Sequence, residues 1–440
     1  MKIKTVILII FSLTATMHAQ EKLKLHLEEC ITIALENNHQ HKQVELDYEK
    51  AKEQVSEAYG ASLFPSIDAS VNYNRAIKKQ RFIIETPQFS GNFEVGSANT
   101  LTANVTLEQP IFTGAMFLAV DIAKTFADIS KKATEYSRSE LIMKVKEAYY
   151  THLLAGSLVD LARMQIKRAK ENREDTRLML DAGLAAEYDY IRANVQYQNF
   201  LPTLTEAQNQ TRLSLNNLKL IMGISLDTEV TIADSLSYIK MDKPDFDEGL
   251  NQVYKQNELI QQMELQTELQ DLNKSYQFTE HLPKLTLNAL FQTQSQEEDS
   301  RPLNDWRFFN ALSVGMTLKV PIFKGFTIDS KVEQAELDYK KAVEGLAATK
   351  NSIRNEFENL MLAIEKDEEQ IEAYKAAVDE SQRGYDIAVK RFNSGLGTQL
   401  EVTDAQLVYT NAAINLLQSV HEYYIAHARL EHLLGETGYQ

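Results

Sequence analysis

Apolar and polar residues alternate in four short stretches of this chain and follow a helical rhythm through most of the remainder. Ile67, Ala69, Val71 and Tyr73 alternate with Asp68, Ser70, Asn72 and Asn74, and Leu101, Ala103, Val105 and Leu107 with Thr102, Asn104, Thr106 and Glu108. Leu285, Leu287, Ala289 and Phe291 alternate with Thr286, Asn288 and Gln292, Leu290 being the exception; Leu312, Val314, Met316 and Leu318 alternate with Ser313, Gly315, Thr317 and Lys319. A period of two predicts four strands, each with one apolar and one polar face. Polar stretches, roughly residues 74–99 and 295–310, separate the members of each pair and read as exposed loops.

The two pairs are echoes of each other. LTANVTLEQPIFTGA from Leu101 matches LSVGMTLKVPIFKGF from Leu312, and LFPSIDASVNYN around Pro65 matches HLPKLTLNALFQ around Pro283. LDAGLAAEYD at Gly183 matches FNSGLGTQLE at Gly395, and LKLIMG ending at Gly223 matches LEHLLG ending at Gly435. Gly183 and Gly395 stand as far apart as Gly223 and Gly435, and Pro110 and Pro321 depart from that spacing by one residue. The chain is thus an internal duplication with a period far beyond the roughly 20 to 50 residues of solenoid repeats. Residues 226–249 form the joint, where Val230, Ile232 and Ile239 suggest short extended pieces and Pro244 precedes a fresh helix.

After each pair of strands the proline-free rhythm is helical. No proline falls between Ile111 and Pro202, nor from Ile322 to the end, so each run predicts one helix out to Gly183 or Gly395 and another coming back. From Phe326 to Asn393 such a helix would be on the order of 100 Å long, at 1.5 Å per residue. Phe357, Ile364, Ile371, Val378, Tyr385 and Phe392 recur every seventh position along it and predict a seam in a left-handed supercoil. Pro202 is expected to kink the returning helix of the first half.

Composition narrows the function. A formal charge of −16, with no long block of Lys and Arg, argues against a nucleic-acid surface. Lys2 and Lys4 ahead of an apolar run from Val6 to Leu13 read as a secretory signal peptide, with cleavage expected after Ala19. The single cysteine, Cys30, lies too far along to be a lipidated first residue and reads as a small buried apolar side chain. No stretch reaches the roughly eighteen apolar residues of a transmembrane helix, so membrane insertion would require a barrel. Trp306, Phe308 and Phe309 near one end of the strands, and Phe112 and Phe323 at the other, suit the two interfaces of such a barrel, although any single strand taken alone would fit an ordinary soluble hairpin better. Four strands cannot close a barrel, because open edges would leave backbone groups unpaired in lipid. The smallest membrane barrels use about eight strands, so inserted strands require oligomerisation, and three copies would give twelve.

Taken together, these phrases resemble the TolC family of outer-membrane efflux channels over nearly the whole mature chain. The resemblance is carried by LEECITIALENNHQHKQVELDYEKAKEQV (Leu27 to Val55), the LFPSI leading into the first strand, both PIFxG exits, and RFNSGLGTQLEVTDAQ (Arg391 to Gln406). It implies a mainly α fold with membrane β: a trimeric, twelve-stranded outer-membrane β-barrel, four strands per chain, continuous with a long periplasmic α-helical barrel. On that scheme the segments are a signal peptide (1–19), an N-terminal segment with the first helices (20–63), the first membrane hairpin (64–110) and its periplasmic helical hairpin (111–223). An inter-repeat equatorial segment (224–248), a helix (249–281), the second membrane hairpin (282–321) and the second helical hairpin with the C-terminal end (322–440) complete the chain.

The implied function is the exit duct of a tripartite efflux or type I secretion system. It would be a homotrimer in outer-membrane lipid, extend into the periplasm, and receive substrates from an inner-membrane pump through a periplasmic adaptor. Neither cofactor nor catalysis is implied. Gly183, Leu184, Arg391, Phe392, Gly395 and Leu396 fall at the periplasmic tips where the adaptor docks. Met179 and Leu180 stand at the first tip where the second has Arg391 and Phe392. Asp386, with Asp379 or Glu380, falls where acidic side chains constrict the tunnel entrance, although these carboxylates would equally fit a solvated outer face.

Two other classes compete. His421, His427 and His432 share one helical stretch, but separations of six and five do not place them on one face, and no hydrolytic or phosphate-binding motif accompanies them. An exported coiled-coil scaffold without a pore would explain the heptads and leave the strands with aromatic ends unexplained.

Overall fold

The computed structural model describes residues 23–86 and 89–435. The leader expected at residues 1–19 lies outside the described residues. The first half of the chain holds β1 (Leu23–Leu25), α1 (Leu27–Asn37), α2 (His39–Leu63), β2 (Ser66–Arg75), β3 (Gln80–Thr86), β4 (Phe89–Val95), β5 (Asn99–Phe112), α3 (Met116–Asp181) and α4 (Glu187–Ile221). The second holds β6 (Val230–Ile232), α5 (Phe246–Gln256), α6 (Glu258–Phe278), β7 (Lys284–Glu297), β8 (Phe309–Lys319), α7 (Thr327–Asn393) and α8 (Gln399–Leu434). The residues form two units: Met1–His41, Arg138–Phe246 and Phe357–Gln440 in one, Lys42–Ser137 and Asp247–Glu356 in the other.

The second of these units carries the four expected strands as one antiparallel sheet in the order β2-β5-β7-β8. Its register explains the alternation. Ile67 pairs with Leu107, Leu107 with Ala289 and Ala289 with Val314; one step along, Ala69 pairs with Val105, Val105 with Phe291 and Phe291 with Leu312. Directly opposed residues share a face, so these rows make one continuous apolar surface. The intervening row, Asp68, Thr106, Leu290 and Ser313, lies on the other face, which is where the exceptional Leu290 stands. Every residue of β2 and β8 is exposed, so the apolar surface has no cover among the described residues.

The polar stretch at 74–99 is not a plain loop. It contains the antiparallel pair β3 and β4, with Phe82 opposite Phe93 and Arg81 Nε donating to Glu94 Oε1 at 2.9 Å. Its apolar residues Phe82, Ile83 and Ile84 are consecutive rather than alternating, which hid the strands from a period-two reading. The stretch after β7 turns back and is tied by ions: Arg75 reaches Asp299 at 3.1 Å, and Arg301 reaches Glu297 at 3.1 Å.

The first unit is built around helices. Of the heptad stripe it contains, Phe357, Ile364, Ile371, Tyr385 and Phe392 are buried and Val378 half-buried. A second apolar core gathers Cys30, Ile31, Ala34, Val145, Tyr149, Leu218 and Met222 with Leu25 and Val230 from a parallel pair, β1 and β6. Gly223 closes this core. Its φ is +69°, and a Cβ there would lie 2.4 Å from the carbonyl oxygen of Asn37, so the close approach admits only glycine. Asn38 completes the joint by donating from Nδ2 to the carbonyl of Ile221 at 2.8 Å.

The joint at 226–249 is a strap rather than a run of strands. Beyond β6, the amide of Ile239 donates to the Tyr424 hydroxyl at 3.1 Å and that of Met241 to the Tyr423 hydroxyl at 2.7 Å. The Tyr424 hydroxyl in turn donates to the Ser237 carbonyl at 2.8 Å. Ile239 is therefore held by a tyrosine and not by a ladder. Pro202 lies inside α4, which continues through it as one helix, forgoing the hydrogen bond that proline cannot donate.

Candidate functional site

The two helix turns of the first unit share the same pair of backbone hydrogen bonds. The amide of Leu184 donates to the carbonyl of Met179 at 2.8 Å and that of Gly183 to Leu180 at 2.9 Å; Leu396 donates to Arg391 and Gly395 to Phe392, both at 2.9 Å. These six-to-one and four-residue bonds stop α3 and α7 with a left-handed glycine, φ +74° at Gly183 and +75° at Gly395. The starts of the returning helices differ. The amide of Ala186 finds Asp189 Oδ2 at 3.3 Å, whereas Thr398 Oγ1 caps α8 by accepting from the amide of Glu401 at 3.3 Å.

Leu184 and Leu396 stand out from these turns, each 74% exposed. Arg391 does not project freely: its Nη2 donates to the Leu396 carbonyl at 3.0 Å, and its Nε lies 3.7 Å from Glu401 Oε2, so it braces the turn from which it rises. Phe392 is buried with Tyr385, Ala388 and Val402, and Met179 packs against the same cluster. The turns thus bring Gly183 and Leu184, or Gly395, Leu396 and Arg391, to the solvent and turn Phe392 inward.

Asp386, Asp379 and Glu380 are all exposed on α7. Asp386 and Asp379 are seven residues apart and share a helix face, from which Glu380 is rotated by about 100°. Asp386 is oriented from behind. Gln382 Nε2 donates to Asp386 Oδ1 at 2.9 Å, and Gln382 Oε1 accepts from Arg168 Nη2 at 2.5 Å. The Arg168 guanidinium lies between two tyrosine rings, 4.8 Å from the centroid of Tyr385 and 4.4 Å from that of Tyr409. Burial raises the Tyr385 phenol above its ordinary value, and Arg168 opposes that rise. Sequence reasoning missed this chain of contacts, because Arg168 and Gln382 belong to different helices.

Beneath the turns the helices meet through amides and hydroxyls. Gln196 Nε2 donates to Gln406 Oε1 at 3.1 Å, Thr403 Oγ1 donates to Gln196 Oε1 at 3.1 Å, and Gln165 Nε2 donates to Thr410 Oγ1 at 3.2 Å. The three histidines of α8 are spread as their spacing requires. His421 meets Thr151 at 3.1 Å, His432 meets Ser139 at 2.7 Å, and His427 lies against the Tyr423 ring, 4.5 Å between centroids. Among the described residues, no group of three His, Cys, Asp or Glu side chains could hold a metal ion. Cys30 is fully buried, and burial pushes its thiol up to about 12.

A two-faced sheet with open edges and paired long helices defines a class of solved molecule. The fold matches a membrane protein from Pseudomonas aeruginosa with a TM-score of 0.80 at 19% identity, covering 95% of this chain and 92% of that one. It matches the Campylobacter jejuni CmeC outer membrane channel with a TM-score of 0.77 at 20% identity, over 93% and 85% of the two chains. The fold is that of the outer-membrane channels.

In sequence, the Outer membrane protein TolC of Vibrio cholerae serotype O1 is 23% identical over 416 residues, 94% of this chain and 92% of that protein. The family model for Outer membrane efflux protein matches residues 30–224 and 249–436, and the chain belongs to that family. The unmatched interval holds the strap described above. The protein is accordingly an outer-membrane efflux channel, a transporter and not an enzyme, which sets aside both the catalytic and the pore-less scaffold readings.

Proposed function

We propose that three copies of this chain form the exit duct through which an inner-membrane pump, coupled by a periplasmic adaptor, discharges its substrates. The observation that carries this reading is the four-stranded sheet: one face carries unbroken apolar rows from Ile67 to Val314 and from Ala69 to Leu312, and β2 and β8 leave unpaired edges among the described residues. Such edges are costly in lipid unless copies share them, and three copies give a closed ring above the minimum of about eight strands. On this reading residues 64–110 and 282–321 cross the outer membrane, and the helical hairpins of 111–223 and 322–440 stand in the periplasm. Residues 1–19 direct export and are removed, and Cys30 carries no lipid.

The exposed Leu184 and Leu396, presented by paired left-handed glycines, are the apolar knobs on which the adaptor docks. Gly183, Gly395 and Arg391 shape these tips, and Phe392 supports the second from below. Asp386 lines the tunnel entrance, aided by Asp379 or Glu380. Three copies of each carboxylate would draw cations and hold the ring apart by mutual repulsion.

Two measurements test the reading. The protein extracted in detergent should have the mass of three chains and conduct in a planar bilayer; a one-chain, non-conducting particle refutes it. Asp386→Ala should reduce cation selectivity and block by divalent ions, and unchanged values remove Asp386 from the entrance.

A further inference from the structure

The polar face of the four-stranded sheet is built from neutral hydrogen-bonding side chains, and the charge it does carry lies in one place. Successive rows hold Ser70, Asn104 and Gln292, then Asn72, Thr102 and Gln294, then Asn74, Thr100 and Gln296. Beyond the row that sets Lys284 opposite Lys319, the charged residues of this face are Asp68 and Glu108. Asp68 lies opposite Thr106 and Glu108 opposite Ser66. The two carboxylates therefore occupy neighbouring rows of neighbouring strands, about 7–8 Å apart along the diagonal.

Both side chains are exposed, and with Thr106, Asn288, Leu290 and Gly315 they border a hollow of about 470 Å³. Gly315 opens it: nothing lies within 4 Å of a Cβ built there. Asn288 is engaged elsewhere, donating from Nδ2 to Thr317 Oγ1 at 3.0 Å. Other charges of the sheet are matched. Arg75 pairs with Asp299 and Arg301 with Glu297 at one end, and Lys284 Nζ meets Glu280 Oε1 at 2.8 Å at the other. Among the described residues no lysine or arginine pairs with Asp68 or Glu108. Lys319 stands four residues along β8 from Gly315, which shares the row of Glu108. That is about 14 Å, beyond the Debye length of about 8 Å, so it does not cancel them. Neighbouring like charges repel and do not brace a sheet, so what this pair supplies is a field.

We infer that Asp68 and Glu108 form a charge filter inside the barrel, favouring cations over anions in the duct through their field without holding an ion. This rests on the three-copy reading above. With the apolar rows against lipid, the polar face lines the lumen. Twelve strands about 4.8 Å apart and tilted by about 40° set the backbone about 12 Å from the axis. Side chains reaching inward bring the axis within about one Debye length of the wall, so six carboxylates in two adjoining rows act on every ion that passes. A neutral wall of Ser, Thr, Asn and Gln discriminates little by sign, whereas a ring of one sign does. Asp386 belongs to the other unit, so the two sets of carboxylates can be tested apart.

Reversal potentials of the full protein in planar bilayers under a potassium chloride gradient test the filter. Asp68→Asn with Glu108→Gln, nearly isosteric and at exposed positions, should lower the ratio of potassium to chloride permeability roughly fivefold, and Asp68→Lys should lower it further than Asp68→Asn. Glu108→Cys gives a readout on the assembled channel that does not depend on the paired variant, since the native Cys30 is fully buried. A sulfonate-bearing methanethiosulfonate should restore its cation preference, and a trimethylammonium-bearing one should abolish it. A permeability ratio unchanged by the paired neutralisation in a conducting three-chain particle overturns the filter and leaves the duct standing. So does a Glu108→Cys channel indifferent to both reagents. An unaltered protein of one-chain mass that does not conduct overturns the duct and the filter with it.

Discussion

His427 offers the clearest quantitative test of the helical unit, because its burial sets a pH window for stability. The side chain is 2% exposed, packed on the Tyr423 ring beneath the strap whose Met241 amide that tyrosine holds. Burial lowers its pKa from 6.5 to about 4, with Glu368 opposing the shift and Lys243 adding to it. The depressed value means that the folded chain binds fewer protons than the unfolded one between those limits. The neutral imidazole is therefore fully compatible with folding above pH 6.5, and stability falls as pH drops through the window. With 1.36 kcal/mol per pKa unit, the loss is about 2 kcal/mol at pH 5 and about 3 kcal/mol once pH is below the folded value, per chain.

The assay is thermal unfolding of the detergent-solubilised protein at pH 7.5 and pH 5, compared with His427→Phe. Phenylalanine keeps the aromatic contact on Tyr423 and removes the titration. Three half-buried histidines, His152, His421 and His432, also have lowered values and will make both proteins acid-sensitive. The informative quantity is thus the difference between the two proteins' pH responses. His427→Phe should retain about 2 kcal/mol more of its neutral-pH stability at pH 5 than the parent. Equal responses would falsify the assignment of a buried neutral imidazole at this position.

Three further outcomes are expected. Gly223→Ala should cost about 3 kcal/mol or more, since left-handed strain adds to a backbone collision, whereas Gly183→Ala and Gly395→Ala, strained but sterically open, should each cost about 1–2 kcal/mol; equal melting losses at all three would contradict this. Leu184→Ser combined with Leu396→Ser should leave the melting temperature within a degree or two while weakening adaptor capture roughly fivefold or more; undiminished capture and efflux would remove the turns from the docking surface. Cys30 should resist maleimide in the native protein at pH 8 and react on unfolding, because its thiol is buried and pushed up to about 12; rapid native labelling would show that the α1 core is open.

The sheet and the heptad seam were legible in the sequence because both are periodic: period two assigns a face, and period seven assigns a contact. Phe392 shows how one reading can correct another. It ends the heptad stripe, and the seam position, rather than its nearness to Gly395, is where its ring lies. The β1 and β6 pair was half visible, as Val230 and Ile232, but a partner of three residues at Leu23–Leu25 carries no period at all. The strap was illegible for a different reason. Its backbone donors are satisfied by the hydroxyls of Tyr423 and Tyr424, some 180 residues away on α8, and such pairing leaves no local pattern. Arg168 between Tyr385 and Tyr409 belongs with it, as a contact among three helices that only the fold assembles.

The duplication constrains more than the topology. In a ring of repeated halves, the junction inside a chain and the junction between chains must present compatible edges, so a substitution tolerated at one has a counterpart to satisfy at the other. Leu282 lies over Gly114, whereas nothing lies within 4 Å of a Cβ on its counterpart Gly325, so the duplicated turns have different surroundings within the chain. That turn does differ, for Gly325 and Phe326 are both left-handed at φ +59° and +62°, and Gly114 is not among the positive-φ residues. A left-handed phenylalanine costs about 1–2 kcal/mol, and here its ring rests on Phe323 at 5.4 Å between centroids. The repeats have thus diverged in backbone at the point where Leu282 covers one turn and the other is open among the described residues.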